Sequence, residues 1–395
     1  MLTTQPSSEK IWQPGTHIPA LDGIRGLAIL AVTLYRFGRD MPESNWFERT
    51  LHYGIQFGNH GVDLFFVLSG FLITGVLIDA KKRPNSLRNF FIRRSLRIFP
   101  LYFAALILFL VLIPKLYGEN HPFQLAVENQ FYLWTYLTNV KMSLADAWCF
   151  GSLDHFWSLA VEEHFYLLWP FIIYLCSPRT SLQLAVVIGS LSAVSRVAMA
   201  AFSSQQVAPD VLTLFHCDAL LIGSALALVA RQPVLCEKLQ QYSLYILIPT
   251  LLGMSFCVIT GTRLLTIGYT LVALLCGYLL LRLLTANTDS WLARFFGAAW
   301  LRNLGKYSYG MYVFQSPLIP LVAPVLSASA IATVVGNNVV AQLVYVVAMF
   351  VLTYGAALLS WNLLEMHCLK LKETLTSESP KVVQQTCGMQ PASQH

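Results

Sequence analysis

Ten runs of mostly apolar residues, each near the roughly 20 that a helix needs to cross a bilayer, constrain this 395-residue sequence more than any other feature. They are Leu21 to Phe37, Val62 to Ala80, Ile98 to Leu116, Phe156 to Cys176, Leu182 to Phe202, Val211 to Ala230, Ser243 to Thr260, Leu264 to Leu284, Tyr307 to Leu326 and Val339 to Leu364. Lipid satisfies no backbone hydrogen bond, so segments of this kind cross it as helices that pair their own amides. Composition agrees: 56% of residues are hydrophobic and 12% charged, about half the charge of an ordinary soluble domain, and the mean hydropathy is +0.58. The expected fold is all-α, a polytopic transmembrane helix bundle of about ten spans. One membrane domain should cover residues 18–371, between disordered polar tails at 1–17 and 372–395.

Charge orients the bundle. The connection KKRPNSLRNFFIRRSLR after the second run carries Lys81, Lys82, Arg83, Arg88, Arg93, Arg94 and Arg97 and no acid, which marks it as cytoplasmic. A further segment, Leu125 to Val140, is short and carries Glu128, Asn129 and Gln130, so it reads either as an eleventh span or as an interfacial or re-entrant helix. If it crossed, the loop with Arg282, Arg294, Arg302 and Lys306 and the end with Lys370 and Lys372 would lie outside. The expectation is therefore ten spans with both termini cytoplasmic, and no removable signal peptide. The net charge of +6 sits at membrane edges, where lipid head groups answer it better than nucleic acid. Eight scattered cysteines, with no CxxC pair and no ligand-spaced histidines, support neither a disulfide framework nor a metal site.

Several polar residues interrupt the apolar runs. In RGLAILAVTLYRFGRD, Arg25 and Arg36 lie eleven helical steps apart, which returns them to within roughly 20° of one face, about 16 Å apart. The second run places Asp63 near one end and Ser69 and Gly70 in its middle. An ionisable group at that depth is a functional candidate, while Ser69 and Gly70 suit close helix packing equally well. Arg94 and Arg97 share a helical face, and their guanidinium forks suit phosphates, although topology alone also calls for cations there. The most informative run is HFWSLAVEEHFYLLWP, where Glu162, Glu163 and His164 stand in sequence. Vicinal carboxylates point in different directions, so at least one faces the bundle interior, where it or the histidine can handle protons. His216, Asp218, Gln315 and Glu365 are further intramembrane polar residues with structural roles at least as apt.

The motifs LDGIRGLAIL, GVDLFFVLSGFLITG, FFIRRSLRIFPLYF, WSLAVEEHFYLLWP, HCDALLIGSALA, LGKYSYGMYVF and the closing segment with Glu365 stand in the order and spacing of a known family. The chain resembles the acyltransferase-3 family of membrane-bound O-acyltransferases, which modify carbohydrates in bacterial envelopes. The resemblance runs from Ile18 to Leu371, and seven motifs in order are specific where one would not be. It implies a multi-pass protein of a bacterial plasma membrane. Acetyl-CoA or another acyl-CoA would be the donor, used from the cytoplasmic side as substrate with no bound cofactor. The acceptor would be a hydroxyl of a cell-envelope carbohydrate or lipid-linked glycan, with envelope-biosynthesis proteins as possible partners.

Position by position, the resemblance assigns Arg25 to the first-span arginine, Arg94 and Arg97 to an RxxR pair, Ser69 and Gly70 to an SGF element, and Glu162 and Glu163 to a WSLxVE segment. No soluble esterase-like domain is expected after the membrane part, so transfer would finish within the bundle or on a partner. Two positions depart. Arg36 stands where the family has a histidine base or relay, and Gln315 where a second histidine is common. Arginine keeps its proton, so Arg36 is not a base. The expectation is a short-chain O-acyltransferase. Arg25, Arg94, Arg97, Ser69 and Gly70 would hold the donor, Arg36 would supply a fixed cation for an oxyanion, Asp63 would be a further catalytic candidate, and Glu162, Glu163 or His164 would be the base. Two other classes compete: a catalytically silent relative that binds or passes acyl carrier or glycan, favoured by the missing histidines, and a proton-coupled transporter, for which no inverted repeat is visible.

Overall fold

The computed structural model describes residues 18–43, 45–260 and 267–376. The tail expected at 1–17 and residues 377–395 of the other tail lie outside these, as do residues 264–266 of the eighth expected run. The helix Met366–Leu375 continues beyond Leu371. Among the described residues the chain is helical without strands.

Ten longer helices fall on the ten apolar runs: α1 Pro19–Gly38, α2 Gly61–Ala80, α3 Ser86–Ile107, α4 Trp157–Leu175, α5 Pro178–Phe202, α6 Thr213–Ala230, α7 Ser243–Thr260, α8 Gly268–Leu284, α9 Ala299–Phe314 and α10 Asn338–Ser360. Five continuous helices are long and apolar enough by themselves to cross a membrane: Trp46–Ala80, Ser86–Asn120, Pro178–Phe202, Ala208–Ala230 and Asn338–Lys372. The chain is an all-α, multi-pass membrane protein. The ambiguous segment breaks into Gln124–Glu128, Gln130–Trp134 and Thr138–Ala145, whose longest piece, eight residues, rises about 12 Å. It is held against α3, where Tyr102 donates to the Leu133 carbonyl at 2.7 Å and its ring stacks on Tyr136.

Two close helix contacts set the frame around the site. Between α1 and α9, a Cβ at Gly26 would lie 2.0 Å from the Leu301 carbonyl oxygen, and one at Gly305 1.9 Å from that of Asp22. Between α2 and α6, a Cβ at Gly70 would lie 1.8 Å from the Leu220 oxygen, and one at Gly223 1.8 Å from that of Val67. Small residues let backbones meet in a medium that provides no hydrophobic drive between helices. α5, α6 and α8 are joined by buried charge: the fully buried Arg196 meets Asp218 at 2.8 Å, and Thr270 donates to the same carboxylate at 2.7 Å. A buried cation paired and hydrogen-bonded in this way is the tolerated arrangement in a low-dielectric interior.

Gly70→Ala is expected to force α2 and α6 apart and to lower stability by about 1–3 kcal/mol, seen as a fall in thermal midpoint in detergent. Gly355→Ala, where no atom lies within 4 Å of the added carbon, should leave the midpoint unchanged or slightly raised.

Candidate functional site

A narrow cavity of about 100 Å³ lies among α1, α2, α3, α4 and α9. Its polar lining gathers Arg25 from α1, Ser69 from α2, Arg94 and Arg97 from α3, and Glu162 and Glu163 from α4. Three cations thus face two carboxylates from three different helices. On α4, Ser158 and Glu162 stand four residues apart, the spacing that puts both on one face toward this cavity. Arg94 lies 3.7 Å from Glu162, and its guanidinium sits 3.6 Å from the centre of the Tyr166 ring. Tyr166 in turn is hydrogen-bonded to Ser69. Arg25 is held at 3.7 Å from Asp22, one turn earlier on α1. Two atoms at the cavity stay unsatisfied: Arg94 Nε and Glu163 Oε1 have no hydrogen-bond partner among the described residues.

Tyr312 and Ser158 also line this cavity, their hydroxyls 2.5 Å apart. There is a second, larger cavity of about 720 Å³. It gathers the C-terminal end of α1, with Tyr35 and Arg36, the residues just before α2, α4 and α6, the start of α8 at Tyr269, and the chain after α9 at Ser316. The ends of six helices therefore meet there. His155 lines the second, and its Nε2 lies 3.0 Å from the backbone carbonyl oxygen of Tyr312, a residue that lines the first. That oxygen can only accept, so Nε2 carries the proton and Nδ1 keeps its lone pair. Nδ1 has no well-formed hydrogen bond among the described residues, although the Ser152 and Val313 backbones also lie near the ring, and His155 is only 3% exposed. Burial, reinforced by the charge of Arg36, lowers its pKa to about 3, so the ring is neutral at ordinary pH. Its neighbour Asp154 is raised by burial to about 6, against the Phe150 amide that donates to it at 2.8 Å and the charge of Arg36, both of which lower it.

The residues expected to form a site thus divide into groups. Arg25, Ser69, Arg94, Arg97, Glu162 and Glu163 converge on the first cavity. Arg36 lines the second. Gly70 lies against the α6 backbone, Asp63 is buried in a 2.8 Å pair with His60, and His164 is bonded to Thr213 at 2.7 Å, so these three line neither cavity. Gln315 is fully buried at the end of α9 with Thr33 of α1 3.5 Å away. Asp154 and His155 received no role from sequence reasoning. A signal existed: His155, Ser158 and Glu162 follow the i, i+3, i+7 stripe of a single helical face. Among the described residues no group of three or more His, Cys, Asp or Glu side chains is placed to hold a metal ion.

Residues 18–361 match the family model described as an acyltransferase domain. The chain belongs to this acyltransferase-3 family. Among named proteins it is similar to the peptidoglycan O-acetyltransferase OatA of Listeria monocytogenes, 27% identical over 83% of this chain and 54% of that one. It is also similar to the putative peptidoglycan O-acetyltransferase YrhL of Bacillus subtilis, 31% identical over 78% and 50% of the two chains, and to the O-acetyltransferase OatA of Staphylococcus aureus, 25% identical over 80% and 52%. The chain spans about half the length of these relatives. No solved structure matches it.

The Asp154 shift has a consequence for stability. An acid that titrates near 6 when folded, against its usual 3.8, binds more protons in the folded state between those values. Stability should therefore fall as pH rises from about 4 to about 6 and level off above. Thermal midpoints in detergent across that range should show the slope in the parent chain and a shallower one in Asp154→Asn.

Proposed function

We propose that this chain is a bacterial plasma-membrane O-acetyltransferase, which moves an acetyl or similarly short acyl group from acyl-CoA to a hydroxyl of a cell-envelope glycan of the peptidoglycan type. The observation that carries the reading is the convergence of Arg25, Arg94 and Arg97 on one narrow cavity beside Glu162 and Glu163. Guanidinium groups held this way suit the anionic parts of a CoA thioester. A cavity of about 100 Å³ suits a short acyl group better than a long one. The names of the relatives supply the acceptor class. Ten spans with cytoplasmic termini are supported by the ends that meet at the second cavity. The C-terminal ends of α1 and α9 and the N-terminal ends of α2, α4, α6 and α8 are the ends that a ten-span alternation puts outside. The first cavity then opens toward the cytoplasmic donor and the second toward the envelope.

Within this scheme the carboxylates have different work. Glu162 lies beside Arg94 and orients it. Glu163, with one oxygen unpartnered, is the group able to hand a proton to the departing CoA sulfur. Arg36 supplies a fixed positive charge on the acceptor side, where it favours an oxyanion and accepts no proton. The competing reading, a silent relative that binds donor or glycan without turnover, draws on Arg36 and Gln315 standing where the family resemblance implies histidines.

The test is purified chain in nanodiscs with labelled acetyl-CoA and peptidoglycan fragments. Transfer should be measurable, and Glu163→Gln should cut it by about 100-fold while acetyl-CoA binding stays within a few-fold. Arg94→Ala should weaken that binding. Tight acetyl-CoA binding with no turnover in the parent chain would establish the silent relative instead.

A further inference from the structure

The second cavity holds a concentration of unanswered polar atoms. Arg36 Nε, Ser152 Oγ, His155 Nδ1 and Ser316 Oγ are buried, belong to residues that line this one space, and have no hydrogen-bond partner among the described residues. Buried donors and acceptors are ordinarily satisfied, so four unsatisfied ones around one cavity mark a place where a guest brings the missing groups. Donors and acceptors are both present, which fits hydroxyls, each able to give and to take a hydrogen bond. The same walls carry the rings of Tyr35, Trp148, Trp157 and Tyr269. Aromatic faces next to a guanidinium and a carboxylate are the surfaces that take the apolar face and the hydroxyl edge of a sugar ring, and a cavity of about 720 Å³ has room for saccharide units.

From this arrangement we propose that the second cavity seats the acceptor sugar, and that His155, through Nδ1, is the base that takes the proton of the hydroxyl to be acylated. The inference rests on the acyltransferase reading of the first cavity and adds the acceptor site and its base. His155 takes up the proton-transfer role that Arg36 is chemically unable to perform. Its Nε2–H is fixed on the Tyr312 carbonyl, which fixes the tautomer and leaves the Nδ1 lone pair for the acceptor. The same contact holds the base against the backbone of Tyr312, which with Ser158 lines the first cavity.

The chemistry balances between the two cavities. The sugar hydroxyl gives its proton to His155 Nδ1 while its oxygen attacks the thioester carbonyl carbon presented at the Tyr312–Ser158 wall. A C–O bond forms, the carbonyl electron pair moves onto oxygen near the Arg36 charge, and on its return the C–S bond breaks. CoA leaves as thiolate and takes a proton from Glu163. The proton on His155 returns through solvent, and Glu163 recovers its own from the cytoplasmic side, so both residues end as they began.

The experiment uses the full chain in nanodiscs, labelled acetyl-CoA as donor and a chitotetraose, four β-1,4-linked N-acetylglucosamine units, as acceptor probe. His155→Ala should bind acetyl-CoA within threefold of the parent and lose at least 100-fold in acetyl transfer to the saccharide, and added imidazole should restore at least tenfold of that loss. A residue needed only for folding would not be rescued this way. Trp148→Ala should raise KM for the saccharide, and chitotetraose should quench tryptophan fluorescence less in that variant than in the parent. Transfer unchanged in His155→Ala, or a loss that imidazole and His155→Gln leave equally untouched while donor binding is intact, overturns the base. Absence of saccharide binding to a parent chain that turns over acetyl-CoA overturns the acceptor site. Saccharide binding that responds to Trp148 in a parent chain with no acetyl-CoA binding or turnover overturns the acyltransferase reading and leaves the second cavity standing as a glycan site.

Discussion

A guanidinium inside a bundle of apolar helices has to be answered by an acid, a carbonyl or an aromatic face, because nothing else in that medium replaces its lost hydration. Much of this structure follows from that requirement. Arg196 is answered by Asp218 and ties α5 to α6. Arg94 is answered by Glu162 and by the face of Tyr166, which draws α3 onto α4 and leads through Tyr166 to Ser69 on α2. Arg25 is answered by Asp22 on its own helix and lines the cavity.

The glycines complete the arrangement. Arginines and glutamates cannot share a cavity unless the helices behind them approach closely, and Gly26 with Gly305, and Gly70 with Gly223, let backbones touch where a methyl group would collide. This division of labour explains why Ser69 and Gly70, adjacent in sequence, do different things: consecutive residues on a helix point about 100° apart, so one faces the cavity and the other faces α6.

Tyr312 and Ser158 line the first of two cavities, and His155, which contacts the Tyr312 carbonyl, lines the second. Arg36 belongs to the second cavity, eleven residues and about 16 Å beyond Arg25. Arg36 therefore adds a permanent cation to the second cavity and leaves the first cavity's own charges in place.

How much of this was legible beforehand follows from physics. Apolar runs of bilayer length determine helices whatever their neighbours, and the sequence by itself therefore determined the all-α fold, the placement of ten helices, and the candidate status of each charge stranded in an apolar run. The breaking of residues 124–145 into short pieces also agrees with its polar interruptions. What the sequence did not determine is which stranded charges face each other. Helical spacing fixes the face of a residue on its own helix, but not the rotation of that helix against its neighbours, which depends on packing of side chains far apart in the chain. Tertiary structure alone decided that Asp63 is held by His60 and His164 by Thr213, away from both cavities, and that Glu162 and Glu163 meet three arginines. It also decided that His155, an ordinary-looking residue near a helix start, contacts the Tyr312 carbonyl and lines the same cavity as Arg36, with a ring nitrogen that has no hydrogen bond among the described residues.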